Sequence, residues 1–371
     1  METTLREILT LHSRMYPRME AADFIKLIYQ NEFGPGHLKA EDAESFLREE
    51  CAAMAVGRPL QPRVEPIGNG LCRLYFGADL ASSGLAAVVA RLVSFTAAAH
   101  HGTEAAFEKK LEMLEELAED GILPLPPGDL SAAMARYRTA GAPVPRHSDA
   151  YRSEYQPHYR VMKAAYGDFY PVIQAVQEQM NRNQTLITAI DGRCGSGKTF
   201  LARLLAEGFD CPVLHLDDFF LTPEAKTPER LGQPGGNVDY ERFWNEVLRP
   251  LTRGEAARFR PYDCGTGAYR PEVIVPPGGL ILVEGSYSQH PALWDSYGLR
   301  IFLTCSPEEQ TARLRRRCGE ELLQRFRQVW IPLEERYFEA FALDRQADLV
   351  LDTTEFFHAD AFDSAAVPGK N

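Results

Sequence analysis

Several things are missing from this sequence, and each absence narrows what the chain can be. None of its seven cysteines (Cys51, Cys72, Cys194, Cys211, Cys264, Cys305 and Cys318) forms a C-x-x-C pair, and their number is odd. That argues against a disulfide framework or a zinc site and fits a reducing compartment. No stretch approaches the roughly 18 consecutive apolar residues of a membrane-spanning helix, so no membrane partner is expected. The first ten residues, with Glu2, Arg6 and Glu7, lack the uninterrupted apolar run of a signal peptide, and a cytoplasmic protein is expected. Basic charge is in deficit, with 40 Lys and Arg against 52 Asp and Glu, a net charge of -12. An acidic chain holds an extended polyanion poorly, so no nucleic-acid partner is expected. A small phosphate ligand remains accessible, because a local nest of backbone N–H groups can outweigh net charge. The N-K-x-D motif that GTPases use to read their base does not occur, and no internal repeat is found.

The 371 residues suffice for two domains, each with its own core. Residues 1–165 read as a mainly helical domain of unassigned role, with 120–165 as a connecting region. Apolar residues at helical spacing recur in Phe24–Ile28, in Leu85–Ala99 and in Phe107–Leu117, and a further helix is expected over Ala40–Met54. A strand pair is expected around Val64–Ile67 and Cys72–Phe76, turning at Gly68-Asn69-Gly70. Residues 166–184 read as a connecting helix, 185–356 as a second domain and 357–371 as a flexible tail. The second domain alternates short apolar runs with helices. Strands are expected at Leu186–Ile190, Val213–Leu216, Leu280–Val283, Arg300–Leu303 and Asp348–Leu351. Helices fall between them at Lys198–Gly208, Tyr240–Thr252, Pro307–Arg317 and Glu320–Leu343. This alternation predicts an α/β fold, a P-loop NTPase-type parallel sheet with helices on both faces.

The segment Gly192-Arg193-Cys194-Gly195-Ser196-Gly197-Lys198-Thr199 satisfies G-x-x-x-x-G-K-[ST] in full, between an apolar strand and a helix. Glycines there let the backbone take positive φ and bring N–H groups against phosphate oxygens, where the helix N-terminus adds its positive dipole end. Lys198 places an ammonium on the β- and γ-phosphates, and Thr199 offers a hydroxyl to Mg²⁺. Glu284 closes the apolar run Leu280–Val283, where a carboxylate faces the ligand crevice and can hold the metal through water; the alternative is a solvated strand-end acid. Asp217 and Asp218 follow another strand. One of them, with Asp217 favoured, can take the proton of an attacking hydroxyl, or the pair can cap a helix. Arg313 and Arg317 share a helix face four residues apart and suit charge stabilisation from a lid, or form a solvated basic face.

Taken in order, Leu216-Asp217-Asp218-Phe219-Phe220, Gly235-Gly-Asn-Val-Asp239-Tyr-Glu-Arg-Phe243, Arg260-Pro-Tyr262-Asp263, Val283-Glu284-Gly285 and the Arg313–Arg317 run resemble the uridine kinase-like branch of P-loop kinases over about residues 185–355. The resemblance implies Asp217 as general base, Asp239, Tyr262 and Asp263 in the acceptor pocket, and lid arginines at Arg313, Arg316 and Arg317. Nucleoside kinases of that branch carry a His shortly after the Tyr-Asp pair. Here Cys264-Gly-Thr-Gly-Ala-Tyr269 follows instead, which argues against a uridine acceptor. The first half resembles an N-terminal extension of bacterial uridine kinase-like proteins. In it, His147, Asp149, Tyr151, Arg152 and Arg160 have the chemistry of an anion site, or of a hydrogen-bonded connector. His100-His101 reads as a helix end, since no third metal ligand is evident.

The resulting expectation is an ATP- and Mg²⁺-dependent kinase acting on a small-molecule hydroxyl, with a homo-oligomer compatible with the composition. The alternative is a non-catalytic ATP-binding switch whose first domain is an effector module.

Overall fold

The computed structural model describes residues 4–35, 43–54, 63–77, 80 and 83–356. The expected tail 357–371 and the start of the Ala40–Met54 helix lie outside the described residues. The chain divides into two compact units, Met1–Tyr170 and Pro171–Asn371. None of the seven cysteines forms a disulfide among the described residues. No helix among the described residues is long and apolar enough to cross a membrane.

The first unit is helical around a small antiparallel sheet. Its opening helix, Leu5–Met15, starts at a capping box: Glu7 N donates to Thr4 Oγ1 at 3.3 Å while Thr4 N donates to Glu7 Oε2 at 2.7 Å. Two otherwise orphaned amides are thereby satisfied. Helices Ala21–Phe33, Leu85–Ala99 and Glu104–Glu119 follow the apolar stripes read from the sequence. The strand pair is present as β1 (Val64–Gly68) and β2 (Leu71–Tyr75), antiparallel, turning through three residues of positive φ at Gly68, Asn69 and Gly70.

The stretch read as a connecting region is instead part of this unit. It holds helices Pro127–Thr139 and Asp149–Tyr155 and strand β3 (Tyr159–Lys163), which pairs antiparallel with β2. β3 is hard to read from sequence: in Tyr159-Arg-Val-Met-Lys163 only Val161 and Met162 are buried, and the basic residues Arg160 and Lys163 flanking them resemble a loop. Ile8, Leu9, Phe24, Leu27, Ile28, Leu111, Leu114, Leu130 and Tyr151 close one core over the sheet.

After helix Tyr170–Met180, the second unit builds its central sheet from β4 (Thr185–Gly192), β5 (Val213–His215), β10 (Gly279–Glu284), β11 (Leu299–Thr304) and β12 (Leu349–Asp352). Every neighbouring pair is parallel, and the order across the sheet is β12-β11-β4-β10-β5. Ile281, Leu282 and Val283 are fully buried, as strands covered on both faces must be. Each such side chain contributes about 1.5–3 kcal/mol through burial. From β4 the chain passes first to one side of the sheet and later to the other, so the carboxyl end of β4 lies at a topological switch point, where α/β sheets bind ligands.

Two short antiparallel pairs, β6 (Ala257–Phe259) with β9 (Val273–Val275) and β7 (Tyr262–Asp263) with β8 (Ala268–Tyr269), were not legible in the sequence, because pairs of two or three residues are too short to show a period. The helical stretch Tyr240–Thr252 is continuous, with a π-type turn at Trp244–Leu248.

Candidate active site

The loop 192–199 joins β4 to helix Lys198–Phe209 and is held from every side. Gly192, Gly195 and Gly197 take φ of 134°, 78° and 97°. At Gly192 a Cβ would stand 1.9 Å from the carbonyl oxygen of Leu303 on β11, so only glycine lets the loop pass the strand there. Arg193 N donates to that same oxygen at 3.0 Å. The Arg193 side chain forms a two-pronged pair with Glu335, at 2.8 and 2.9 Å, and reaches Thr304 Oγ1 at 2.6 Å. Cys194 N donates to Glu334 Oε2 at 2.9 Å, and the other oxygen of Glu334 accepts from Ser286 Oγ at 2.7 Å. Helix Ile331–Phe341 thus grips the loop through adjacent acids. These acids sit in an amphipathic run with no distinguishing motif, so nothing in the amino-acid order marks them.

Lys198 Nζ donates across the loop to Gly192 O at 2.7 Å and Arg193 O at 3.1 Å. Thr199 Oγ1 donates to Glu284 Oε2 at 3.2 Å, bringing the expected metal pair together at the ends of adjacent elements. Glu284 is 6% exposed, and its other oxygen accepts from His215 Nδ1 at 2.5 Å. That bond raises the His215 pKa and favours the imidazolium.

A second buried acid, unmarked in the sequence reading, stands at Asp191, directly before the loop. Its carboxylate accepts from Gly192 N at 2.7 Å, Gln289 N at 2.9 Å and the Tyr337 hydroxyl at 3.0 Å. Burial nevertheless pushes its pKa up to about 6, against the opposing pull of Lys198 and these bonds. It was hidden because one acid at the end of an apolar strand looks like any strand terminus.

Asp217 and Asp218 lie in the 3₁₀ turn Leu216–Phe219 that follows β5. Asp217 Oδ1 is 3.6 Å from where a Cβ on Gly285 would stand, which places it beside the end of β10. Asp218 is paired with Arg270. Asp239 caps helix Tyr240–Phe243, accepting from Arg242 N at 2.9 Å, while its own N–H donates to Phe219 O at 2.8 Å. Tyr262 is buried beside Tyr269, with ring centroids 5.3 Å apart. Strand β7 packs on the 216–219 turn. Asp263 closes its own turn, accepting from Gly265 N at 2.8 Å and Thr266 N at 3.2 Å.

The arginine run divides in two. Arg313, expected to face a phosphoryl group from a lid, is 2% exposed. It bonds Glu309 Oε1 at 2.8 Å, Thr353 Oγ1 at 2.9 Å, Thr353 O at 2.6 Å and Gly195 O at 3.3 Å. Thr353 Oγ1 in turn donates to Ser196 O at 3.0 Å. Arg313 therefore ties the loop to the end of β12. Arg317, one turn on, is exposed, and its guanidinium lies 5.4 Å from the Phe326 ring centroid. Gly319, with φ of 74°, interrupts the helix Pro307–Arg325 just beyond it.

No group of three or more His, Cys, Asp or Glu side chains that could hold a metal ion occurs among the described residues. Thr199 and Glu284 present hard oxygen ligands, which fit a Mg²⁺ held mainly by phosphates and water.

No family model matches the chain. It is similar to the shikimate kinase of Stenotrophomonas maltophilia (strain R551-3), 27% identical over 176 residues, which cover 46% of this chain and 84% of that protein. Among solved structures it is similar to one described as a possible uridine kinase from Bacillus stearothermophilus, at 22% identity and a TM-score of 0.37, covering 46% of this chain and 90% of that one. It is also similar to the D-glycerate 3-kinase of Cryptococcus neoformans var. grubii, at 16% identity and a TM-score of 0.33, covering 45% and 87%. These matches span about half of the chain.

Proposed function

We propose that this chain, whose second unit carries the P-loop kinase fold, moves the γ-phosphoryl group of ATP onto a hydroxyl of a small metabolite. The observation that supports this most is the placement of Thr199 and Glu284, in contact at 3.2 Å beside a glycine loop that only glycine can form at Gly192. The loop amides of 192–199 receive the phosphates at the start of helix Lys198–Phe209, where the dipole favours negative charge. Lys198 turns from the Gly192 and Arg193 carbonyls to the transferred phosphoryl. Thr199 and Glu284 would hold a Mg²⁺, which would supply neutralisation of charge on the phosphates.

Asp217 accepts the proton of the acceptor hydroxyl. As that oxygen bonds the γ-phosphorus, the bond from phosphorus to the β–γ bridging oxygen breaks, and ADP leaves with its electron pair. Asp239, Tyr262 and Asp263 border the acceptor. Arg313 positions the loop rather than the phosphoryl, and Arg316 and Arg317, both exposed, are placed to stabilise charge on closure.

The test uses the full chain with MgATP against a pool of hydroxylated metabolites, read by mass for the gain of one phosphate. The expected result is one such product, absent with Lys198→Ala. ATP binding by calorimetry without any product would instead favour the non-catalytic switch with an effector first unit. No binding of any nucleoside triphosphate would sink both readings.

A further inference from the structure

The first unit buries more polar chemistry than a small helical domain needs, and its hydrogen bonds do not come out even. The acids are each engaged by several donors. Glu65 accepts from Arg73 Nη1 at 3.0 Å, from the Tyr75 hydroxyl at 3.2 Å and from the Tyr16 hydroxyl. Asp23 accepts from His147 Nδ1 at 2.8 Å, Ser148 N at 3.1 Å, Ser148 Oγ at 2.7 Å and Glu20 N at 3.0 Å. With Nδ1 donating to Asp23, Nε2 of His147 accepts from the Tyr159 hydroxyl at 2.6 Å. Burial holds this imidazole neutral by pushing its pKa down to about 4.

The donors, by contrast, are in surplus. Arg73 is 1% exposed, with its guanidinium 4.7 Å from the Tyr159 ring centroid. It spends Nη1 on Glu65, and Nε and Nη2 on Gln30 Oε1 at 3.0 and 2.8 Å. A guanidinium has five N–H groups, so about two remain. Lys26 Nζ donates to Pro145 O at 3.0 Å, which leaves about two of an ammonium's three N–H groups.

Tyr151 is fully buried, stacked on His147 at 4.2 Å with 5° between the rings, and its hydroxyl has no hydrogen-bond partner among the described residues. An unpaired buried hydroxyl costs about 1–3 kcal/mol, which a fold seldom tolerates without a ligand or water to meet it. Arg73 acts electrostatically on both Tyr151 and Lys26. Lys26, Tyr155 and Tyr159 are half-buried, so the cluster reaches the surface on their side.

We propose that Lys26, Arg73 and Tyr151 form a binding site within the first unit for a small anion that presents carboxylate or phosphate oxygens. The surplus donors match acceptor oxygens, and Asp23 and Glu65 are each engaged by donors of their own. Without an anion, burial and the Arg73 charge lower the Lys26 pKa to about 8, and a bound anion would raise it again. The site is distinct from the phosphate loop and does not rest on the kinase reading.

The test is hydrogen exchange of the full chain, read over residues 147–163, in a Lys198→Ala background that removes the main phosphate contact of the loop. Inorganic phosphate and acetate are titrated separately against chloride at equal ionic strength. The expected result is saturable protection by at least one of the two, and whichever arm saturates identifies the oxygen class. Tyr151→Phe, which deletes only the unpaired hydroxyl, is expected to keep the anion-free melting temperature and to weaken the anion at least tenfold, as is Lys26→Met. Protection no greater than with chloride in both arms would overturn the assignment. So would full protection retained in Tyr151→Phe.

Discussion

Replacing Tyr337 with Phe removes one hydroxyl from the second unit's interior and changes almost no volume. That hydroxyl donates to Asp191 Oδ2 at 3.0 Å, and both residues are fully buried. A hydrogen bond to a charged acceptor contributes about 1.5–3 kcal/mol. Asp191 already titrates near 6, above its ordinary 3.8, because burial outweighs its bonds. An acid whose pKa is raised on folding keeps its proton longer in the native state, so it costs stability as pH climbs from about 4 through 6.

Tyr337 opposes that rise. Without it the carboxyl pKa moves further up, by about one to two units if the whole bond energy is lost, at 1.36 kcal/mol per unit. The loss is then largest above the new pKa and smallest where the carboxyl is protonated in both proteins. Tyr337→Phe is therefore expected to destabilise the second unit by about 1.5–3 kcal/mol at pH 8 and by under about 1 kcal/mol at pH 5. Urea denaturation at the two pH values measures it. With a slope of about 2 kcal/mol/M, the midpoint should fall by about 1 M at pH 8. An equal loss at both pH values, or none at pH 8, would refute Asp191 as a buried ionisable partner of this hydroxyl.

Three further outcomes follow from the same geometry. Gly192→Ala sets a Cβ 1.9 Å from Leu303 O at a φ of 134°, so it should lose at least about 3 kcal/mol of stability together with ATP binding; Gly128→Ala, where nothing lies within 4 Å, should behave as wild type in both measurements. Asp217→Asn should lower kcat by about 10²–10⁴ while calorimetry finds the ATP Kd within a few-fold, and an unchanged kcat would remove the general-base assignment. Arg313→Met leaves Gly195 O, Thr353 O and Glu309 without their buried donor and should destabilise by about 3–5 kcal/mol, whereas Arg317→Met should melt like wild type and lose turnover.

Much of the second unit is legible in the amino-acid order alone. The five strands lie where apolar runs predicted them, and the inner ones, β4, β10 and β11, are legible because strands buried on both faces need continuous hydrophobicity. The loop 192–199 is legible for a different reason: its conformation admits glycine alone at Gly192, so the backbone requirement is written in the residue. Asp191, Glu334 and Glu335 left no such trace. They matter through partners 98 to 146 residues away in sequence, such as Gln289, Cys194 and Tyr337. In the first unit, the strand pair β1–β2 is readable from its Gly-Asn-Gly turn, but β3 is not, since its two buried residues are flanked by Arg160 and Lys163.

The amino-acid order settles local matters: where helices begin, where a turn demands glycine, and which strands must be covered on both faces. Those follow from backbone sterics and periodicity, and neither depends on distant residues. Whether a charged side chain acts on a ligand or braces the fold depends on what packs around it. Arg313 and Arg317 are the same residue type on the same helix face, yet one is buried on Thr353 and the other is exposed. Desolvation and long-range hydrogen bonds separate them, and both arise only once the chain has closed on itself.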